Sequence, residues 1–555
     1  MPTPLASTYV LTFFCSAITL SAIVLALRLF RDAGAATEPV WRSPFLVASL
    51  ILAGFLLFIS PYQASNLAVS DALEYSVAAH RYWFNGTYSL GIGEQSLPPR
   101  YPPAFSLLVL MPSYAIFGPE IGNSILPICV MALVALLALS RISYLISGPQ
   151  AGLLAPLLLL ALPEFRTMAR LPMTDLPALA LGLLALLRTL IFLKQPKNSI
   201  TTFLEIGFYL GLAIAFRSTN IVLALALLPF LLRLHQKERL KAVAIALVPI
   251  AAAAFSVLLY QHSVFADLWR SGYHFWVAIP YDFPGLTFSS SYMTENIALL
   301  LQSASFVPLL FVTLALFFLN RRAHSQTAIN TPLIVSTFVL LFSLLLIFIA
   351  YFYCTRRFFL PLSTWLIPLT LGFGLPLLST KRQTLLLSFT VVIVIFSVGL
   401  RWVTKISPPE RRVLADALSQ TPENSAILAE LDPAYAERMV IGSTQRSYIP
   451  MSREVEFASK VLAPTSLGKT LTQPKSWHPH RSPEALQAGA IDAVPWVAIE
   501  QPEKLRDLLA SGRPVYVGSP ISNPKNLEEL QQYFKLIQVS PHLFSVNSAN
   551  QMGQQ

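Results

Sequence analysis

Three acidic side chains and a set of arginines stand at run ends in a sequence otherwise poor in charge. Ser70-Asp71-Ala72-Leu73-Glu74-Tyr75 brings Asp71, Glu74 and Tyr75 together, and Arg100-Tyr101-Pro102-Pro103 follows in the same polar stretch. Asp175 closes Met173-Thr174-Asp175 just ahead of an apolar run, Arg217 follows another, and Arg356 and Arg357 precede a third at Pro361. A carboxylate in such company can take a proton from an attacking hydroxyl. Fixed guanidinium groups can hold a phosphate and the charge that develops on it. Plainer readings fit the same residues: a solvated loop acid at Asp71, a helix-capping acid at Asp175 aided by Pro177, and arginines that contact lipid headgroups.

The elements that must position these groups are membrane helices. Of 555 residues, 54% are hydrophobic and only 12% charged, against roughly 25% charged in an ordinary soluble domain. Apolar runs succeed one another up to Val403. From Ile406 onward none approaches the roughly 17 to 25 residues that cross a bilayer. The first run, residues 9–27, has no basic segment ahead of it and no small-residue cleavage site behind it, so it is expected to stay as a span. The chain is therefore expected to be a polytopic α-helical membrane protein of about 12 spans over residues 1–403. Residues 404–555, where short apolar runs such as 426–431, 494–499 and 515–517 alternate with amphipathic stretches at 409–418, 502–509 and 527–534, are expected to form an α/β domain.

Charge sets the orientation. Of 39 Lys and Arg and 28 Asp and Glu, 24 and 13 lie up to Val403, so that part carries the whole net charge of +11 and the tail is neutral. A basic excess confined to the membrane part argues against nucleic-acid binding. The basic clusters at Arg28, Arg31 and Arg42, at Arg141, at Lys194 and Lys197, from Arg233 to Lys241, at Arg321 and Arg322, and at Lys381 and Arg382 fall in alternate connections. These are expected to face the cytoplasm, with the tail on the other side of a cytoplasmic (inner) membrane. Every lysine of the membrane part then lies inside, and the outer surface retains only arginines. This topology requires that residues 102–117, which open with Pro102 and Pro103 and contain Pro112, form an interfacial helix within a long outer loop, 61–121.

Cys15, Cys129 and Cys354 are scattered and suggest neither a disulfide framework nor a thiolate metal site. His80, His262 and His274 show no ligand spacing, so no metal or other cofactor is expected. A second outer connection, 261–295, is rich in aromatic residues, among them Trp269, Tyr273, Trp276 and Tyr281. It reads first as an aromatic belt at the membrane interface, and second as a cover over a site.

Taken together, Asp71 and Tyr75 with Gly86 and Tyr88 behind them, Arg100-Tyr101-Pro102-Pro103, Met173-Thr174-Asp175 and Arg357-Phe358-Phe359-Leu360-Pro361 resemble the C-type glycosyltransferase superfamily. Its members include the protein O-mannosyltransferases and the lipid A aminoarabinose transferases. One departure stands out: many relatives carry Glu directly after the first Asp, whereas Ala72 follows Asp71 here and Glu74 lies further on. The resemblance implies transfer of a sugar from a polyprenyl-phosphate donor to a lipid, glycan or protein acceptor at the outer membrane face. It implies catalytic roles for Asp71, Asp175 and Glu74, with Asp71 as general base. Arg357, Arg356, Arg217, Arg100, Tyr101 and Tyr75 would bind substrate, Arg357 with Arg356 leading at the phosphate. A transporter of a lipid or small solute is the alternative, although no half-to-half repeat accompanies it.

Overall fold

The computed structural model describes residues 70–390, 420–429, 447–450, 498–518 and 524–548, apart from short interruptions. The expected span at 9–27 lies outside the described residues, as do Arg28, Arg31, Arg42, Lys197, Arg321 and Arg322 and the amphipathic stretch 409–418.

The described part of the stretch expected as an outer loop begins with helix α1, Ser70–Asn85. It ends at Gly86, which adopts φ 70° and donates its N–H to the Tyr82 carbonyl at 3.0 Å. A residue in that left-handed conformation is best supplied by glycine, which has no Cβ to clash. The chain reverses there into a short antiparallel hairpin, β1 (Leu90–Ile92) with β2 (Gln95–Leu97). The reversal carries Tyr88 and then Arg100 back toward α1.

Helix α2, Pro103–Phe117, follows, interrupted by a wider π turn over Ser106–Leu110. It is too short to cross a bilayer and buries Phe105, Leu108, Leu110 and Tyr114. The next elements are α3 (Leu126–Ser147), α4 (Pro149–Ala161), α5 (Pro163–Met168), α6 (Asp175–Lys194), α7 (Ser199–Phe216), α8 (Ile221–Leu231) and α9 (Gln236–Phe265). Beyond the short segment α10 (Gly272–Trp276) come α11 (Met293–Leu301), α12 (Phe306–Asn320) and α13 (Asn330–Phe348). A 3₁₀ turn, Arg356–Phe359, leads into α14 (Leu360–Gly374).

Among the described residues, six helices are long and apolar enough to cross a membrane. A pair bent by 70°, Ser290–Leu301 with Phe306–Leu319, makes seven if it forms one broken span. Apolar surface that would be costly in water is here either packed between helices or turned outward, as in α9, which buries little beyond Ala242, Ala246, Tyr260 and Phe265. The two helices α7 and α9 meet almost backbone to backbone. A Cβ on Gly207 would overlap the Ala246 carbonyl, and Pro249 stands beside it. Small residues at such a crossing allow the close approach that substitutes for hydrophobic driving force in lipid.

The tail is a mixed sheet with helices, in keeping with the α/β expectation. Its strands β3 (Ala426–Ala429), β4 (Ser447–Pro450), β5 (Val515–Gly518), β6 (Phe534–Ser540) and β7 (Leu543–Ser548) lie in the order β4-β3-β5-β7-β6. β3 runs parallel to β4 and β5, and β7 runs antiparallel to β5 and β6. Helices α15 (Pro502–Ala510) and α16 (Pro524–Gln531) supply Leu505 and Leu530 to its core. The edge strand β4 contacts β1, so the tail meets the hairpin that precedes Arg100.

Candidate active site

Neighbouring ends of α1, α6, α7 and α14 bring six charged side chains into one chain of alternating sign. Arg357, in the turn before α14, donates from Nη2 to Oδ2 of Asp71 at 2.9 Å. Its Nε lies 3.9 Å from Oδ2 of Asp175, the first residue of α6, and Arg217, just past α7, reaches the other oxygen of Asp175 at 3.5 Å. Beside them Glu74 receives the backbone N–H of Arg100 and, at 2.5 Å, its Nε.

Local structure explains why each group sits where it does. Asp71 and Glu74 occupy one face of α1, one helical turn apart. Asp175 begins α6, where a negative charge is favoured by the exposed N–H groups of the first turn. Thr174 rather than Asp175 stands at the N-cap, and the carboxylate of Asp175 faces the arginines. The hydroxyl of Tyr88 donates to the Tyr101 carbonyl at 3.2 Å, which pins the segment carrying Arg100 and Tyr101 against the start of α2. Ser106 in α2 in turn donates to the Tyr75 carbonyl at 3.1 Å.

The three acids differ in access. Asp71 leaves 21% of its side chain exposed, Asp175 9% and Glu74 2%, so an incoming hydroxyl can best reach Asp71. Burial pushes the Asp71 carboxyl up, but Arg100, Arg357 and a hydrogen bond from Tyr101 together outweigh it and hold the group below its ordinary value. Burial dominates at Glu74 and raises it in spite of Arg100. One acid is thus kept ionised and reachable, while its neighbour serves as an internal anchor for Arg100.

Aromatic rings enclose this charge chain. Tyr75 stacks on Tyr101 with ring centroids 4.2 Å apart, and Tyr101 meets Tyr273 of α10 edge-on at 5.3 Å. Arg217 lies over the face of Phe358 at 4.3 Å and Arg357 over the same ring at 5.4 Å, a geometry in which the ring quadrupole favours the cations. Arg356 points elsewhere: it donates to Gln302 at 3.2 Å in an exposed position.

Of the residues expected from the sequence, Asp71, Asp175, Glu74, Arg357, Arg217, Arg100, Tyr101 and Tyr75 are brought together, and Arg356 stands apart from them. Phe358, Tyr273 and Tyr281 were not among them. Phe358 adjoins Arg357 in the sequence, so a ring serving neighbouring cations was a readable signal. The outer connection read first as an aromatic belt divides instead. Trp269 is 78% exposed, whereas Tyr273 and Tyr281 turn inward, the latter sharing a 2.6 Å hydroxyl contact with Tyr351. No cluster of three or more His, Cys, Asp or Glu suited to a metal ion occurs among the described residues.

The helical frame agrees in fold with solved structures of the superfamily that the motifs resemble. Residues 101–260 match the family model described as dolichyl-phosphate-mannose-protein mannosyltransferase. Among solved structures the chain is similar to ArnT from Cupriavidus metallidurans bound to undecaprenyl phosphate. The two are 14% identical with a TM-score of 0.56, over 94% of this chain and 100% of that one. It is also similar to the Archaeoglobus fulgidus oligosaccharyltransferase in its apo form, at 12% identity and a TM-score of 0.52, over 76% of this chain and 66% of that one. At these identities the likeness establishes the fold. No curated protein matches the sequence.

Proposed function

We propose that this protein is a membrane glycosyltransferase that moves a sugar from a polyprenyl-phosphate donor to a hydroxyl of a lipid, glycan or protein acceptor. The reaction would take place at the outer face of the cytoplasmic membrane, with the tail on that side. The observation that carries this reading is Asp71, the most accessible acid of the site, held ionised between Arg357 and the Tyr101 hydroxyl. The dolichyl-phosphate-mannose family model and the undecaprenyl phosphate bound to ArnT support the choice of a lipid-phosphate donor.

In this mechanism Asp71 accepts the proton of the acceptor hydroxyl as that oxygen bonds to the anomeric carbon of the donor sugar. The bond from that carbon to the phosphate oxygen breaks, and the lipid phosphate leaves with the electron pair. Its charge develops in a poorly hydrated place, where fixed guanidinium groups stabilise it without having to reorganise. Arg357 is engaged by both Asp71 and Asp175, so we assign the phosphate first to Arg217, which among the ion pairs of the site faces Asp175 alone, at 3.5 Å. Arg100 stays beside Asp71 through its bond to Glu74, and Arg356 serves at the exposed rim.

The test is transfer of labelled sugar in membranes containing the purified chain, offered a series of polyprenyl-phosphate sugars. Transfer from at least one donor is expected. Failure with every donor, by a protein that remains folded, contradicts the assignment.

A further inference from the structure

The charge chain fixes two ends of the reaction, Asp71 at the acceptor oxygen and Arg217 at the phosphate, and the sugar ring must lie between them. Tyr75 and Tyr273 flank Tyr101, the neighbour of Arg100, with ring centroids 4.2 and 5.3 Å from it, and both phenols feel the charges of Asp71 and Arg217. Tyr75 is fixed by its stack on Tyr101 and is 3% exposed. Tyr273 is fixed by a different device. Its neighbour Gly272 seats against the Pro99–Arg100 backbone so closely that any Cβ there would overlap the Pro99 carbonyl oxygen and Arg100. The segment carrying Tyr273 is therefore docked onto the bend that carries Arg100 and Tyr101, and this sets Tyr273 edge-on to Tyr101 at 5.3 Å. Tyr281 backs Tyr273 with ring centroids 5.0 Å apart and is itself tied to Tyr351.

Resting on the glycosyltransferase reading, we propose that Tyr273 lines the subsite for the donor sugar and recognises its ring, while the buried Tyr75 fixes the Tyr101 ring against which Tyr273 is set. An aromatic face offers the apolar C–H side of a pyranose a matching surface, while the phenol rim can bond its hydroxyls. The neighbouring carboxylates are each already faced by a guanidinium, so the subsite suits an uncharged hexose.

The experiment measures binding of undecaprenyl phosphate, bare or carrying mannose, glucose or galactose, to the full chain in nanodiscs. The wild type should bind at least one of the sugar-bearing lipids more tightly than the bare lipid. Tyr273→Leu should weaken that lipid by about tenfold and leave the bare lipid unchanged, which also reports that the variant is folded. Tyr273→Phe should keep most of the preference, because the ring face remains. Equal weakening of bare and sugar-bearing lipid by Tyr273→Leu, or no preference in the wild type, overturns the subsite. Absence of binding to every lipid, bare included, overturns the glycosyltransferase reading itself and the subsite with it.

Discussion

Arg357 and Asp71, 286 positions apart in the chain, are joined at 2.9 Å, and the same guanidinium stands 3.9 Å from Asp175. One planar cation thus sets the spacing of two carboxylates that arrive on different helices. A lysine supplies the charge as a point and cannot address both. Arg357→Lys should therefore lower sugar transfer by roughly ten- to a hundredfold, the scale of a lost charged hydrogen bond. Arg357→Ala should lower it further, since two acids then face each other without the cation. Wild-type rates in both variants would show that the bridge is dispensable.

The same pair makes a prediction for pH. Asp71 lies below its ordinary value because Arg100 and Arg357 outweigh the effect of burial. A base with a depressed pKa stays ionised as the pH falls, so the transfer rate should remain level from neutral down to about pH 4, the usual carboxylate value. Removing the cation raises the pKa of the base. The acid limb of the pH–rate profile should therefore move to higher pH in Arg357→Gln. A limb that stays where it is in that variant would mean that another group controls the rate.

Glu74 is expected to act through Arg100 rather than on substrate. Its carboxylate is 2% exposed and receives both the backbone and side-chain N–H groups of Arg100. Breaking one side of a buried ion pair costs about 3 to 5 kcal/mol, so Glu74→Gln should lower the melting temperature in detergent clearly. A variant that melts like the wild type yet transfers no sugar would place Glu74 in the chemistry instead.

Orientation can be tested on α9, whose 30 residues rise about 45 Å and can place its ends on opposite sides of a bilayer. Lys237 and Trp269 flank it, and both are exposed. With Cys15, Cys129 and Cys354 replaced, a membrane-impermeant maleimide added outside should label Trp269→Cys and spare Lys237→Cys. The reverse pattern would invert the topology and move the site to the cytoplasmic face.

Much of this organisation was legible in the sequence because bilayer helices leave long signals. The run beginning at Asp175 gives a helix over Asp175–Lys194, and the amphipathic stretch at 502–509 gives one over Pro502–Ala510. The hairpin strands Leu90–Ile92 and Gln95–Leu97 are three residues each, too short to show a period, and they were not read. Nor were the tail strands Phe534–Ser540 and Leu543–Ser548, whose partly exposed faces blur the alternation. Residue types in the site were readable from the motifs, but their pairing was not. Whether Arg357 meets a phosphate or Asp71 depends on tertiary placement, as does the inward turn of Tyr273 from a loop that looks like an interfacial belt. The departure at Ala72 has a physical consequence as well: moving the second acid to Glu74 sets it one helical turn from Asp71, where it reaches Arg100.

The central claim is that Asp71 removes the acceptor proton. Asp71→Asn keeps the size and reach of the side chain but lacks the basic carboxylate. In membranes supplied with a labelled polyprenyl-phosphate sugar, transfer by Asp71→Asn should fall by about 10² or more while donor binding survives. Asp71→Asn protein that is folded and transfers sugar at the wild-type rate would contradict the account.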